Sequence, residues 1–374
     1  MQMAGERPSR APRRPRDAVR SVVALCTLLL LVALIAAGLR PGPAAPLPPT
    51  NGNGDLALYN RVVEQLRHGE AYYSAIVDEL RANNYPLRPF VTVRPPGLSL
   101  AMAVTTDGVI RLALGTLAAV TFAAWAWRWR SLRGEPLRTT AFLVLLGSGM
   151  IPALAPNAYP LHEVWAGLLI ALSLALRRRN GWWLSVAVAT LAALLRELAA
   201  PYLVVMAVMA LKDGCRKEAA GWLAGLAVFA LALGWHAYEV GAVVTAADPG
   251  SPPWLRFGGW GFVLQTASWN LLLEAGPNWL GAVLLPLALL GLSTLRSALG
   301  VRLALTVAGY TLAFMIVGRP NNSYWGLMIA PLWPLGLLQA WPALRRLGRD
   351  ARGLLGRRAE MPAAGLERGD RAAW

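Results

Sequence analysis

Apolar runs of roughly 15–20 residues recur along almost the whole chain, separated by short clusters of arginine and lysine. A helix needs about 20 such residues to cross the hydrocarbon layer. Lipid offers the backbone no hydrogen-bonding partners, so only helices and closed barrels span it. The runs therefore predict an all-α, polytopic membrane protein. Of the 374 residues, 56% are hydrophobic and 15% charged, against about 25% charged in a soluble domain.

The net charge of +16 would suggest nucleic acid in a soluble protein. Here the charges fall in the breaks between apolar runs, as basic cytoplasmic loops do, and no nucleic-acid partner is expected. The clusters are the N-terminal tail, 128–138, 177–179, 212–217, 296–302 and the C-terminal tail. With all six on the cytoplasmic side, neighbouring clusters are joined by pairs of spans. The expectation is about ten: 20–39, 108–127, 139–155, 160–176, 182–196, 198–211, 219–236, 278–294, 302–318 and 324–341. Residues 1–19 read as a basic cytoplasmic tail, 20–342 as the transmembrane domain, and 343–374 as a second basic tail expected to be disordered. The first run exceeds a signal-peptide core and reads as a retained span. Cys26 and Cys215 show no paired or metal-binding spacing, and no disulfide or zinc site is predicted.

One charged pair stands inside an apolar run, Arg196-Glu197 in "VAVATLAALLRELAAPYLVVMAVMA". Residues 182–211 lie between two basic clusters and are too few for two full spans. A hairpin of two short helices satisfies both facts, with the pair at its turn and Pro201 opening the second helix. A charge at bilayer depth costs at least ~2.5–3.5 kcal/mol unless it meets water, a partner or a ligand. The turn should therefore line a polar cavity on the outer side. Adjacent helical residues do not face one another, so the two side chains should have separate partners.

The other polar residues collect on that same side. Segment 40–107 opens with a Pro/Gly linker and continues as two short amphipathic surface helices, "DLALYNRVVEQLRHG", stopped by Gly69, and "EAYYSAIVDELRANN". The chain then re-enters through "YPLRPFVTVRPPGLSLAMA", with Arg94 before a Pro-Pro turn. Asp55 stands where a helix N-cap belongs. Tyr72 and Tyr73 read as interface anchors, and His68, Glu70, Asp78 and Glu79 as a solvated face. Further outer turns carry His162 and Glu163 ("PNAYPLHEVW") and Arg319, Asn321, Asn322 and Tyr324 ("VGRPNNSYW"). Segment 237–277 holds "PPWLRFGGWGF", an aromatic belt at the interface.

The early Asp55, the "GDLALYNRVVEQLRHGEAYY" block, the "RPPGLS" re-entry and the "RE" between short spans resemble GT-C-type membrane glycosyltransferases. That group includes protein mannosyltransferase and aminoarabinose transferase-like enzymes. The resemblance covers residues 20–340 in layout, and implies a polyprenyl-phosphate-linked sugar donor, transfer on the outer face, and an acidic residue early in the first external loop, which Asp55 matches. No paired acid flanks Asp55, and no motif for a divalent metal is evident.

The residues support the same chemistry on their own terms. A sugar phosphate has a good leaving group, so transfer needs one base for the acceptor hydroxyl and cations for the departing phosphate. Asp55 is the candidate base. Arg94, Arg196 and Arg319 are candidate phosphate clamps. His162, Glu163, Glu197, Asn321, Asn322 and Tyr324 are candidates for sugar or acceptor hydroxyls. A bacterial inner-membrane location is expected, with both termini cytoplasmic. A transporter or lipid flippase is the alternative. Sugar identity and acceptor stay open.

Overall fold

A computed structural model describes residues 15–40, 54–130, 135–253, 256–277 and 279–359. Among them every named element is helical: α1 Pro15–Gly38, α2 Asp55–Arg67, α3 Tyr72–Ala82, α4 Gly97–Ala103, α5 Asp107–Arg130, α6 Pro136–Ser148, α7 His162–Leu176, α8 Trp183–Leu195, α9 Ala200–Lys212, α10 Arg216–Val243, α11 Gly259–Ala267, α12 Leu271–Glu274, α13 Trp279–Ser293, α14 Ala298–Ile316 and α15 Leu337–Ala359. The all-helical class is as expected. Among the described residues four helices are long and apolar enough to cross a membrane: Val19–Gly38, Asp107–Arg130, Arg216–Val243 and Ala298–Ile316. Helices α7, α8 and α13 are apolar but shorter.

Helix α7 is the centre of the bundle. Most of its residues are buried, including Val164 and the whole of 166–175, and it packs on α5, α8 and the 320–328 segment. The short helices α8 and α9 form the expected pair. Arg196 leaves helical geometry at φ −147° and ψ 113°, ending α8, and Pro201 lies in the first turn of α9.

Two expectations are corrected. The apolar run 324–341 is not one straight span. It begins as a 3-10 segment, Pro320–Met328, then bends by 60° into the helical stretch Trp333–Arg352. Pro331 and Pro334 explain the break, since each lacks an N–H and clashes with the preceding turn. This irregular backbone is buried in protein rather than lipid, as it must be. Asn270, fully buried, donates to the Ala330 carbonyl at 3.0 Å. Gly167 and Gly326 let the backbone approach, because a Cβ at either would strike a backbone carbonyl oxygen, Leu327's and Thr266's respectively. The second correction concerns the tail. Residues 343–359 belong to α15, whose Ala343, Leu344 and Leu347 pack on α1 and α13; residues 360–374 and 1–14 lie outside the described residues.

Helices α2 and α3 have their own small core. Leu58 and Val62 meet Ala75, Ile76 and Leu80, with Val240 of α10 beneath. Their i, i+3, i+4 spacing places these side chains on one face of each helix. The pair is thereby a cap seated on α10 and α4.

Candidate functional site

The cap, the re-entry segment and two loops enclose a cavity of about 110 Å³ whose lining includes Asp55, Tyr59, Tyr85, Thr92, Arg94, Ser251, Arg319, Asn321, Asn322 and Tyr324. Six of the ten residues selected from sequence thus meet at one space. Asp55 is the first residue of α2. Gly54 occupies the N-cap, and no side chain caps it. The carboxylate is turned to the cavity, where it accepts from the Tyr85 hydroxyl at 2.8 Å and more weakly from Tyr324 at 3.4 Å. Burial raises the Tyr85 hydroxyl pKa, and the Asp55 charge adds to that shift. Tyr59 is raised for the same first reason. Both phenols are proton donors at neutral pH.

Arg94 is the hub. Its Nε donates to Tyr59 and its Nη2 to Tyr324, each at 3.0 Å, and Nη2 lies 3.8 Å from Glu163 Oε1. It is mostly buried, at 11% side-chain exposure, so it does not snorkel. Tyr72 fixes the segment by donating to the Arg94 carbonyl at 2.7 Å. Tyr72 is buried, not an interface anchor as its sequence suggested.

The other four predicted residues lie behind the cavity wall. Glu163 Oε1 sits 2.6 Å from Arg196 Nε, but the N–H is not aimed at the oxygen, so this is an ion pair by proximity rather than a formed hydrogen bond. Arg196 Nη1 donates to Glu197. His162 packs edge-on against Tyr59, their centroids 5.7 Å apart. The Pro160 carbonyl is near its ring, yet neither nitrogen completes a hydrogen bond. One alternating series of charges therefore runs from the cavity inward: Asp55, Arg94, Glu163, Arg196, Glu197. Arg196 and Glu197, expected to have separate partners, instead pair with each other, because Arg196 leaves helical geometry at the turn; Arg196 also meets Glu163.

Loop 245–251 completes the wall. Leu87 donates to Pro249, Ser251 to the Arg88 carbonyl, and Arg88 Nε to the Asp248 carbonyl. Ser251 so placed accepts from Arg319 Nη1 at 2.9 Å. Asp248 is clamped by Arg81 through two contacts, at 2.7 and 2.8 Å. The Arg81 hydrogen bonds, with help from the Thr245 backbone, hold the Asp248 carboxyl well below its ordinary range. Glu79 is likewise engaged, by Arg61 at 2.8 Å and Gln65 at 3.1 Å, rather than solvated.

Sequence reasoning missed Tyr59, Tyr85, Thr92 and Ser251. Tyr59 sits in an amphipathic helix where an aromatic is unremarkable, and only its register four residues after Asp55 pointed to it; Tyr85 lies in the irregular stretch after α3, where no periodicity marks it. Among the described residues no group of three or more His, Cys, Asp or Glu side chains converges to hold a metal. Asp55 has phenols beside it rather than a second carboxylate.

No family model, curated protein or solved structure matches the chain.

Proposed function

We propose that the chain is an integral membrane glycosyltransferase that moves a sugar from a polyprenyl-phosphate donor to an acceptor hydroxyl on the outer face of the bacterial inner membrane. One observation carries this reading: a single carboxylate, Asp55, shares a phenol- and amide-lined cavity with Arg94 and Arg319 at one end of an apolar bundle. In the reaction Asp55 takes the acceptor hydroxyl proton. The freed oxygen bonds to the anomeric carbon, and the carbon–phosphate oxygen bond breaks with its electron pair going to the phosphate. Arg319 and Arg94 meet that charge as it grows. Asn321, Asn322, Tyr324 and Thr92 supply the hydrogen bonds that a sugar ring requires. Arg196 and Glu163 act behind Arg94, holding it in place. The GT-C-like layout of about ten spans, with both termini cytoplasmic, belongs to the same proposal.

A transporter or flippase would need polar groups along the depth of the bundle. The stretch of α7 leading away from the site, from Val164 to Leu176, carries no charged side chain and a single hydroxyl, that of Ser173, which favours the enzyme.

The test uses purified protein and its co-purified lipid, identified by mass spectrometry as a lipid-linked sugar. Asp55→Asn should bind that donor yet turn it over about 10²–10⁴-fold more slowly, the loss typical of a missing general base. Wild-type turnover by Asp55→Asn would end the assignment.

A further inference from the structure

The geometry points to a second site: we infer that the arginine face of α15 binds the headgroups of anionic phospholipids. Arg345, Arg346, Arg349 and Arg352 fall within eight residues of α15, and all four are exposed. Their only acidic neighbour on this stretch is Asp350. The opposite face is fixed, with Ala343, Leu344 and Leu347 packed on Leu31 and Ile35 of α1 and on Leu287 and Leu290 of α13. The helix is therefore held with its cations outward rather than lying loose in solution.

Two observations identify the occupant. The helix that α15 packs on, α1, presents an apolar, lipid-compatible surface beyond Arg20: Val23, Leu29, Leu30 and Val32 are each more than half exposed. The arginine face is thus continuous with a surface that hydrocarbon covers. Along that face Trp341, Arg345, Arg346, Arg349 and Arg352 form one open surface. Arg345 sits over the Trp341 ring at 4.6 Å, and Trp341 is itself exposed. An indole with guanidinium groups beside an acyl-facing helix matches a phosphate headgroup above its chains. Basic clusters on amphipathic helices attract anionic lipid by roughly 1 kcal/mol per charge.

This inference rests on the membrane reading and not on glycosyl transfer, so its failure leaves the Asp55 assignment standing. The test measures the thermal midpoint of detergent-purified full-length protein with added phosphatidylglycerol or phosphatidylcholine. The wild type should gain stability from phosphatidylglycerol alone, and the gain should shrink as salt is raised. The variant R345Q/R346Q/R349Q/R352Q should lose most of the gain. The control R138Q/R178Q, which removes exposed arginines elsewhere, should keep it. If the glutamine variant folds poorly, the four-lysine variant, which retains the charge, takes its place and should keep the gain. An equal gain in the glutamine variant, an equal loss in the control, loss of the gain in a folded four-lysine variant, or a wild type indifferent to headgroup charge each overturns the inference.

Discussion

Arg94 touches the cavity and the buried charges with one planar group. Its guanidinium serves Tyr59, Tyr324 and Glu163 from fixed directions, which a lysine ammonium at the end of a flexible stem cannot reproduce. Arg94→Lys keeps the charge but loses at least one charge-assisted hydrogen bond, worth about 1.5–3 kcal/mol. Turnover should fall about tenfold or more, read as a drop in kcat/KM with the protein still folded. Glu163 presents the opposite case. It is 2% exposed between two guanidinium groups. Glu163→Ala leaves Arg196 buried beside Glu197 alone and should destabilise the protein by about 3–5 kcal/mol, seen as a lower Tm. A Tm unchanged in Glu163→Ala would mean that the pair holds nothing together. Those charges were legible in the sequence because lipid tolerates an ionisable group only where something receives it. Of the phenols only Tyr324 was, from its polar outer turn; Tyr59 and Tyr85 were not, since a tyrosine beside an interface needs no special partner.

At the scale of elements, the cap is held to the bundle through polar stitches as well as its small core. Arg81 of α3 grips Asp248. Because this partner depresses the Asp248 pKa below 3.8, its contribution is fully present above that value and is lost as pH falls through the depressed one. Protection factors at α3 and at 245–251, taken against the intrinsic exchange rate at each pH, should therefore fall on acidification below about pH 4 while the interior of α7 stays protected. Equal protection at pH 3 and pH 6 would contradict this. The amphipathic register of α2 and α3 was readable from the chain, as was the break at Arg196. The bend after Met328 was missed although its cause was printed in the sequence. Pro331 and Pro334 sit three residues apart, but hydrophobicity reports burial and says nothing of backbone angles. The same blindness hid the folded part of α15: its arginines read as a solvated tail, whereas every third or fourth residue between them is alanine or leucine.

Across the whole molecule, ion clusters occupy both ends of α7. At its start lies the series from Asp55 to Glu197. At its close, about 20 Å away at 1.5 Å per residue, Arg177 binds Glu218 at 2.7 Å and Arg302 binds Asp213 at 2.6 Å. The two ends should lie on opposite sides of the membrane. A cysteine at position 55 should react with an impermeant thiol reagent from outside the cell only, and Cys215, beside Asp213, from inside only once the membrane is opened. The reverse pattern would invert the topology. The glycine-lined passage taken by 326–336 has a consequence for the cavity. The stretch is not a peripheral rod leaning on the bundle but a keystone, seated in a slot outlined by α6, α7, α11 and α13. The cavity, which needs Tyr324 and Arg319, is therefore incomplete without the last part of the chain.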